Sequence, residues 1–445
     1  MSTPRAALVL HYGPYNSAAL NVLLGALEPR AAELGLALHL ARGREALLRL
    51  LERDCAAVER VLVAWSFYSP EAARASRDLA WLRRRVARPG LAHVAGGAHA
   101  SAEPAAVLAS GFDLAALGEG EHTIRALAEA LVAGTELACV AGCAALRSGA
   151  PVSNGRGARV AALDEFPPFA PRHRRFNAIE LTRGCVYACS FCQTPYLFQA
   201  RFRHRSVASV VHWVGYMRSL GCNYVRFLSP TAFSYGARER EVDLGALEEL
   251  LSGVRAALGS AGRIFFGTFP SEVRPEHVTP EALALVRRFA SNTQLVIGGQ
   301  SGSERVLSAT HRGHGVEDVR RAVRIAREAG FVPNVDFLFG LPGETAQAAD
   351  ETLRFAREIS DLGARIHAHS FMPLPGTPLS GARAGRLAAR TQTALEELAG
   401  RGAAYGQWRA QQSVARALAR SRARKVGCSS PSARSAAESP PCPES

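Results

Sequence analysis

Cys185, Cys189 and Cys192 stand in the stretch Glu180-Leu181-Thr182-Arg183-Gly184-Cys185-Val186-Tyr187-Ala188-Cys189-Ser190-Phe191-Cys192. Their C-x-x-x-C-x-x-C spacing constrains this chain more than any other feature. An apolar run leads into them through Arg183-Gly184, which places all three on one loop. Soft thiolates so close along a loop suit an iron–sulfur or a zinc site. No fourth cysteine stands near them. A closed structural zinc site takes four protein ligands, whereas a cluster held by three leaves one iron open. A zinc knuckle, or thiols that only pack, are the alternatives.

Around this loop the sequence alternates short aliphatic runs with longer amphipathic stretches, the form of a parallel α/β sheet. At 445 residues the chain suits two domains and a tail. In the first domain, residues 1–135, strands are expected at Ala6 to Leu10, Leu36 to Leu40, Val61 to Phe67, Ala92 to Gly97 and Asp113 to Leu117. Residues 136–175 read as a connector because Phe166-Pro167-Pro168-Phe169 cannot continue a helix. In the second domain, residues 176–380, strands are expected at Asn177 to Thr182, Tyr224 to Leu228, Ile264 to Thr268, Leu295 to Ile297, Val332 to Phe339 and Arg365 to Phe371. Six strand–helix repeats fit an open barrel on the TIM-barrel plan, with chemistry at the carboxyl ends of the strands. Residues 381–414 read as a helical segment. Residues 415–445, rich in Arg, Ser and Pro, read as a disordered tail dispensable for chemistry, with Cys428 and Cys442 as free thiols.

At its cysteines the chain resembles the radical S-adenosylmethionine enzymes, whose signature is this spacing with an aromatic residue before the last cysteine. The resemblance implies that Cys185, Cys189 and Cys192 hold a [4Fe-4S] cluster and that the open iron takes the amino and carboxylate groups of S-adenosylmethionine. An electron from the cluster would then yield methionine and a 5′-deoxyadenosyl radical. Phe191 would sit near the adenine, and Glu272, Gln300 and Ser301, at strand ends, would bind the cofactor's polar groups. Arg274 is a weaker match, with a surface ion pair to Glu272 as its alternative. The resemblance also implies an electron donor such as a flavodoxin or ferredoxin.

Upstream, the order strand-Gly96-Gly97-Ala98-His99 and then Gly118-Glu119-Gly120-Glu121 resembles the cobalamin-binding domain fused to many radical S-adenosylmethionine enzymes. It implies cobalamin across the strand ends, near Ser66, Gly96, Gly97, Gly118, Glu119 and Gly120. The D-x-H-x-x-G loop that supplies an axial histidine elsewhere is absent; Leu10-His11-Tyr12-Gly13 stands after the first strand. Cobalt without a protein histidine is expected, with His11 as the alternative ligand. The fold class that follows is α/β: a Rossmann-like cobalamin-binding domain, then a partial (β/α)6 barrel.

Other residues remain open. His367 and His369 are too few for a second metal and read as a packed or hydrogen-bonded pair. Asn334 and Asp336 share a strand face. Arg203-His204-Arg205 reads as an anion site or a solvated basic turn. The net charge of +14 is nearly all arginine and concentrated toward the carboxyl end, so a nucleic-acid partner is not expected. Sparse cysteine and the lack of a long apolar run point to a cytoplasmic protein with no membrane partner. The expected function is a cobalamin-dependent methyltransferase acting on an unactivated carbon of a small-molecule or peptide substrate. The alternatives are a radical rearrangement or cyclisation without methyl transfer, and an RNA modification. Against methylthiolation of tRNA, Cys55, Cys139 and Cys143 are not spaced for a second cluster.

Overall fold

The structure is a computed structural model that describes residues 5–428, with side chains to 420. Its first domain is a doubly wound sheet with strands β1 (Ala6–Tyr12), β2 (Ala37–Arg42), β3 (Arg60–Ser66), β4 (Leu91–Gly96), β5 (Leu114–Ala116), β6 (Cys143–Arg147) and β7 (Ala150–Ser153). They lie in the order β2-β1-β3-β4-β5-β6-β7. The first five are parallel; β6 and β7 add antiparallel. The residues read as a connector therefore extend the sheet. Cys143, Ala144 and Ala145 are buried there, and the tight turn at Ser148-Gly149 lets the hairpin form.

Alternating side chains give the sheet two apolar faces. Leu8, Leu10 and Tyr12 pack with Leu20, Leu24 and Leu27 of α1 (Ser17–Leu34) and with Ile124 and Leu127 from the last helix of the domain. Ala7, Val9 and Trp65 pack on the other side with Leu47 and Leu51 of α2 (Arg44–Glu52), Leu79 and Leu82 of α3 (Ala72–Arg83), and Val107. Two short helices, α4 (Ala98–Ala102) and α5 (Pro104–Ala109), follow β4, and α6 (Glu121–Ala133) follows β5. In such sheets ligands sit beyond the carboxyl ends of the strands, where the strand order reverses. Here that is the rim between β1 and β3.

The second domain starts with the split strand β8 (Ile179–Glu180) and β9 (Thr182–Arg183), the cysteine loop, α7 (Thr194–Phe198) and β10 (Arg203–His204), which pairs antiparallel with β9. Strand and helix then alternate through α8 (Val207–Ser219), β11 (Tyr224–Leu228), α9 (Leu244–Leu258), β12 (Arg263–Phe265), α10 (Pro280–Phe289) and β13 (Gln294–Gln300). The chain continues through α11 (Glu304–Ala309), α12 (Val316–Glu328), β14 (Val332–Phe339), α13 (Ala346–Asp361) and β15 (Arg365–Ser370). The orders β12-β11-β8 and β13-β14-β15 are joined by a parallel bridge between Val273 and Ile297. A further strand, β16 (Ala404–Gly406), lies between α14 (Ala389–Gly400) and α15 (Trp408–Cys428) and pairs parallel with β15. The segment read as purely helical thus contains a seventh strand of this barrel.

The expectation of a disordered tail is corrected for residues 415–428, while residues 429–445 lie outside the described residues. Ala and Arg are strong helix formers, and α15 runs on to Cys428, where Ser and Pro begin. Ala415 is fully buried. The fate of Cys428 and Cys442 as thiols lies outside the described side chains. Among the described residues, no helix is long and apolar enough to cross a membrane.

Candidate functional site: the cysteine loop, the barrel lumen and the interdomain cleft

Backbone geometry shapes the cysteine loop. Gly184 has φ +82°, and a Cβ there would lie 2.0 Å from the Arg201 carbonyl oxygen, so only glycine fits. Ala188 also holds a positive φ, of +50°. Cys185, Cys189, Cys192 and Phe191 gather in one small apolar group with Tyr187 and Phe202. Burial pushes the Cys185 thiol up to about 11 and raises Cys192 as well. An incoming metal would displace those protons.

The loop is braced from below. Arg274 is buried with its guanidinium 3.5 Å from the centre of the Tyr187 ring. It pairs with Glu276 rather than with Glu272, the partner considered from the sequence, and donates to the Arg312 carbonyl. Tyr187 Oη is 2.9 Å from His277 Nε2 and donates to the Arg240 carbonyl at 3.1 Å.

Arg312 was not foreseen. Its Nη1 is 3.6 Å from Cys189 Sγ, its Nη2 donates to the Gly298 carbonyl at 2.7 Å, and its Nε reaches His314 Nε2 at 3.0 Å. Glu272 Oε1 is 3.8 Å from Arg312 Nη2. Burial pushes the Glu272 carboxyl up to about 7; Arg312 pulls it down, and the neighbouring Asp336, within hydrogen-bond reach, pushes it up. Gly298 makes room for the pair, since a Cβ would stand 2.4 Å from Arg312 Nη2 and 3.0 Å from Glu272. The only trace of Arg312 in the sequence is the basic run His311-Arg312-Gly313-His314 following the Gln-Ser-Gly-Ser string.

Gln300 and Ser301 part company. The β13–β14 register slips between Gly298 and Gln300, and Gln300 has φ +69°, a conformation that costs a non-glycine residue and recurs at functional sites. Its amide makes no side-chain hydrogen bond among the described residues. Ser301, by contrast, is buried, with Oγ 3.1 Å from Thr352 Oγ1 of α13, and it accepts the Ser303 N–H. It faces the helix layer and so is not placed to bind a cofactor in the lumen.

Deeper in the lumen, Asp336 Oδ1 is 2.8 Å from His367 Nδ1, which is 3.2 Å from His369 Nε2. Asp336 supplies the third potential ligand that the sequence lacked. Gln411 links the cluster to the end of β15. Its Oε1 accepts the Ser370 N–H at 2.8 Å, so its Nε2 donates to His369 Nδ1 at 3.1 Å. Burial lowers the pKa of His369, and the neighbouring His367 adds to the shift. The three groups lie within 4.8 Å of one another as one polar cluster. His367 is further fixed by stacking on Tyr405, ring centroids 4.4 Å apart. Asn334, on the same strand face as Asp336, accepts from Tyr405 Oη.

The second feature is a cleft of about 290 Å³ between the two domains. All of Ser66, Gly96, Gly97, Gly118, Glu119 and Gly120 line it, with apolar walls from Val22, Leu23, Ile124 and Leu127. Gly97 has φ +91°, and a Cβ there would press on Ser66 Oγ and the Phe67 carbonyl at 3.0 Å. The cleft is thus mostly apolar, with the glycine loops and the charged Glu119, Glu121, Glu180 and Arg183 among its lining. Glu119 differs from the expectation: its carboxylate is occupied by Arg183 and Arg203 and is not free for a cofactor. Asn177, Glu180, Arg183, Leu197, Phe198 and Leu228 close the cleft from the barrel side.

His11 lies on the other face of the sheet, packed at a tilt against Trp65 with ring centroids 3.9 Å apart. Arg203 is tied to Glu119, His204 to Thr182 and the Ala237 carbonyl, and Arg205 to the Phe166 and Glu180 carbonyls. That basic run is structural, not an anion site. Cys55 and Cys143 are buried on opposite faces of the sheet and cannot share a cluster.

Comparison with known proteins agrees with this layout. Residues 179–356 match the Radical SAM superfamily. The second domain is a radical SAM domain. The whole fold resembles the radical S-adenosylmethionine methyltransferase TsrM from Kitasatospora setae, solved with cobalamin and a [4Fe-4S] cluster. That likeness has a TM-score of 0.65 and 20% identity over 84% of this chain and 74% of that one. It also resembles the cobalamin-dependent S-adenosylmethionine radical enzyme OxsB, with a TM-score of 0.62 and 16% identity over 79% and 52%. The barrel domain thus matches the radical SAM family, and the two-domain fold is like that of TsrM and OxsB. In sequence it is 29% identical over 221 residues to a tRNA-2-methylthio-N(6)-dimethylallyladenosine synthase of Pelobacter propionicus, covering 48% of this chain and 47% of that protein. The chain spans about half the length of the curated relatives it matches.

Proposed function

We propose that this protein is a cobalamin-dependent radical S-adenosylmethionine methyltransferase that methylates an unactivated carbon of a small-molecule or peptide substrate. The observation that carries the reading is the cleft whose walls come from both domains, glycine loops on one side and the strand of the cysteine loop on the other. When bound, the cluster with S-adenosylmethionine supplies a hydrogen-abstracting radical, and cobalamin supplies the methyl group. Cys185, Cys189 and Cys192 would hold the cluster. Phe191, Glu272 and the open amide of Gln300 would orient S-adenosylmethionine, and Arg312 would hold Cys189 and Glu272 in register. Ser66, Gly96, Gly97, Gly118 and Gly120 would border the cobalamin tail, with Val22 and Leu23 excluding water. The polar lumen of Asp336, His367 and His369 would face the substrate. A flavodoxin or ferredoxin would deliver electrons.

Tests on anaerobically reconstituted protein separate the readings. Methyl transfer consumes S-adenosylmethionine to both S-adenosylhomocysteine and 5′-deoxyadenosine; a rearrangement or cyclisation gives no S-adenosylhomocysteine. Replacing Cys185, Cys189 and Cys192 together with alanine should abolish iron binding and 5′-deoxyadenosine, and continued 5′-deoxyadenosine formation would defeat the reading. The RNA-modifying alternative draws on the sequence relatives, but that match covers only half of the chain, and Cys55 and Cys143 cannot supply a second cluster site.

A further inference from the structure

Arg183 immediately precedes Gly184-Cys185, yet its side chain, 8% accessible, is committed to the other domain. Its Nη1 donates to Glu119 Oε2 at 2.8 Å and its Nη2 to Glu121 Oε1 at 2.6 Å, while Glu180 takes Nε and Nη2 at 2.9 and 2.7 Å. Glu119 is 2% accessible and also receives Arg203 Nη2 at 2.6 Å and the Val160 N–H at 3.2 Å. Arg203 and Arg183 are register partners in the β9–β10 pair, so the two guanidiniums descend side by side from the strand pair that carries the cysteine loop. The carboxylates they grip belong to the Gly118–Glu121 loop and to β8. Glu119, Glu121, Glu180 and Arg183 all line the cleft.

Gluing two domains together needs no such convergence; exposed ion pairs along the seam would do it at little desolvation cost. Here buried, charge-assisted hydrogen bonds from Arg183 to Glu119 and Glu121, with a bidentate Arg203–Glu119 pair beside them, join the strand pair that carries the cysteine loop to the loop at the mouth of the cleft. Gly184 transmits the constraint, because the backbone there is packed against the Arg201 carbonyl and cannot swing alone.

We propose that Arg183 and Glu119 are positioning residues that couple the two cofactor sites: an occupant that settles the Gly118–Gly120 loop also settles the cysteine loop, and the reverse. The proposal rests on the reading that the cleft takes cobalamin. Coupling between two binding sites is reciprocal, so it can be measured from either end.

The probe is aquacobalamin, titrated into full-length protein with its cluster reconstituted and into the same protein before reconstitution. The expected result is binding tighter by about fivefold or more with the cluster in place. In Glu119→Gln, which keeps the shape and loses the charge, that ratio should fall toward one, whatever the absolute affinity does. A merely structural ion pair would weaken both titrations and leave their ratio unchanged, and that result would overturn the proposal. If Glu119→Gln does not fold, Glu121→Gln, whose carboxylate among the described residues is hydrogen-bonded only by Arg183, serves as the second variant with the same expectation. Wild-type protein that binds no aquacobalamin in either form would refute the cobalamin reading. The loop coupling would then be judged by the electron paramagnetic resonance spectrum of the reduced cluster, which should differ between wild type and Glu119→Gln without any corrinoid; identical spectra would overturn it.

Discussion

Glu344 sits in the turn after β14, where Gly340-Leu341-Pro342-Gly343-Glu344 leads into α13, and it makes a quantitative test of how this rim is built. Its Oε2 accepts the Gly340 N–H at 2.7 Å, but Oε1 is buried with no hydrogen-bond partner. Burial pushes the carboxyl up to about 7, and the Gly340 N–H offsets only part of that. In the unfolded chain the group ionises near 4.5. Between these two values the folded state retains a proton that the unfolded state has released, so stability falls as pH rises through the window and stays lower above it. Each pH unit is worth about 1.4 kcal/mol, giving a ceiling of about 3 kcal/mol. The side chain is only partly enclosed, so about 2 kcal/mol is expected after screening by water. Glu344→Gln keeps the acceptor for Gly340 and removes the titration. Urea unfolding of both proteins should give similar stability at pH 5 and a variant more stable by about 2 kcal/mol at pH 8. A difference that does not change between pH 5 and pH 8, or a variant less stable at pH 8, would refute the argument.

Two further outcomes follow from the site. Val22→Trp fills the apolar wall of the cleft and should weaken aquacobalamin binding at least about tenfold, while iron content stays at the wild-type level; about tenfold is the loss of about 1.4 kcal/mol. Titration with aquacobalamin and iron analysis on the same preparation check both halves. Gly298→Ala puts a methyl group 2.4 Å from Arg312 Nη2 and should cost about 1–3 kcal/mol by overpacking. It should lower 5′-deoxyadenosine formation by displacing Glu272 and Arg312, and unchanged formation would mean that the pair is remote from the cofactor.

The sequence by itself determined whatever is local in its chemistry. The thiol spacing needs only a loop of the right length, and the glycines at 97, 118 and 184 answer to positive φ angles within their own turns. Alternation of strand and helix follows from side-chain period and gave both domains, with Ser66 and the glycine loops brought to a single cleft. Tertiary structure decided whatever depends on partners far away in the chain. Ser301 and Gln300 look equivalent as neighbours in a polar string, but only Ser301 is claimed by α13, through Thr352. Glu119 reads as a loop acid until two arginines from the barrel claim it. Arg312 has no motif; it acquires meaning only where the fourth and first barrel units bring Gly298 and Cys189 to either side of it. Gln411 reaches His369 from a stretch taken for the end of a helical segment. The strands β6, β7 and β16 are short and Ala- or Gly-rich, with little β propensity, and they exist because a sheet edge was waiting for them. Residue type and spacing are properties of the chain, whereas desolvation, hydrogen-bond partners and sheet register are properties of the space into which it folds.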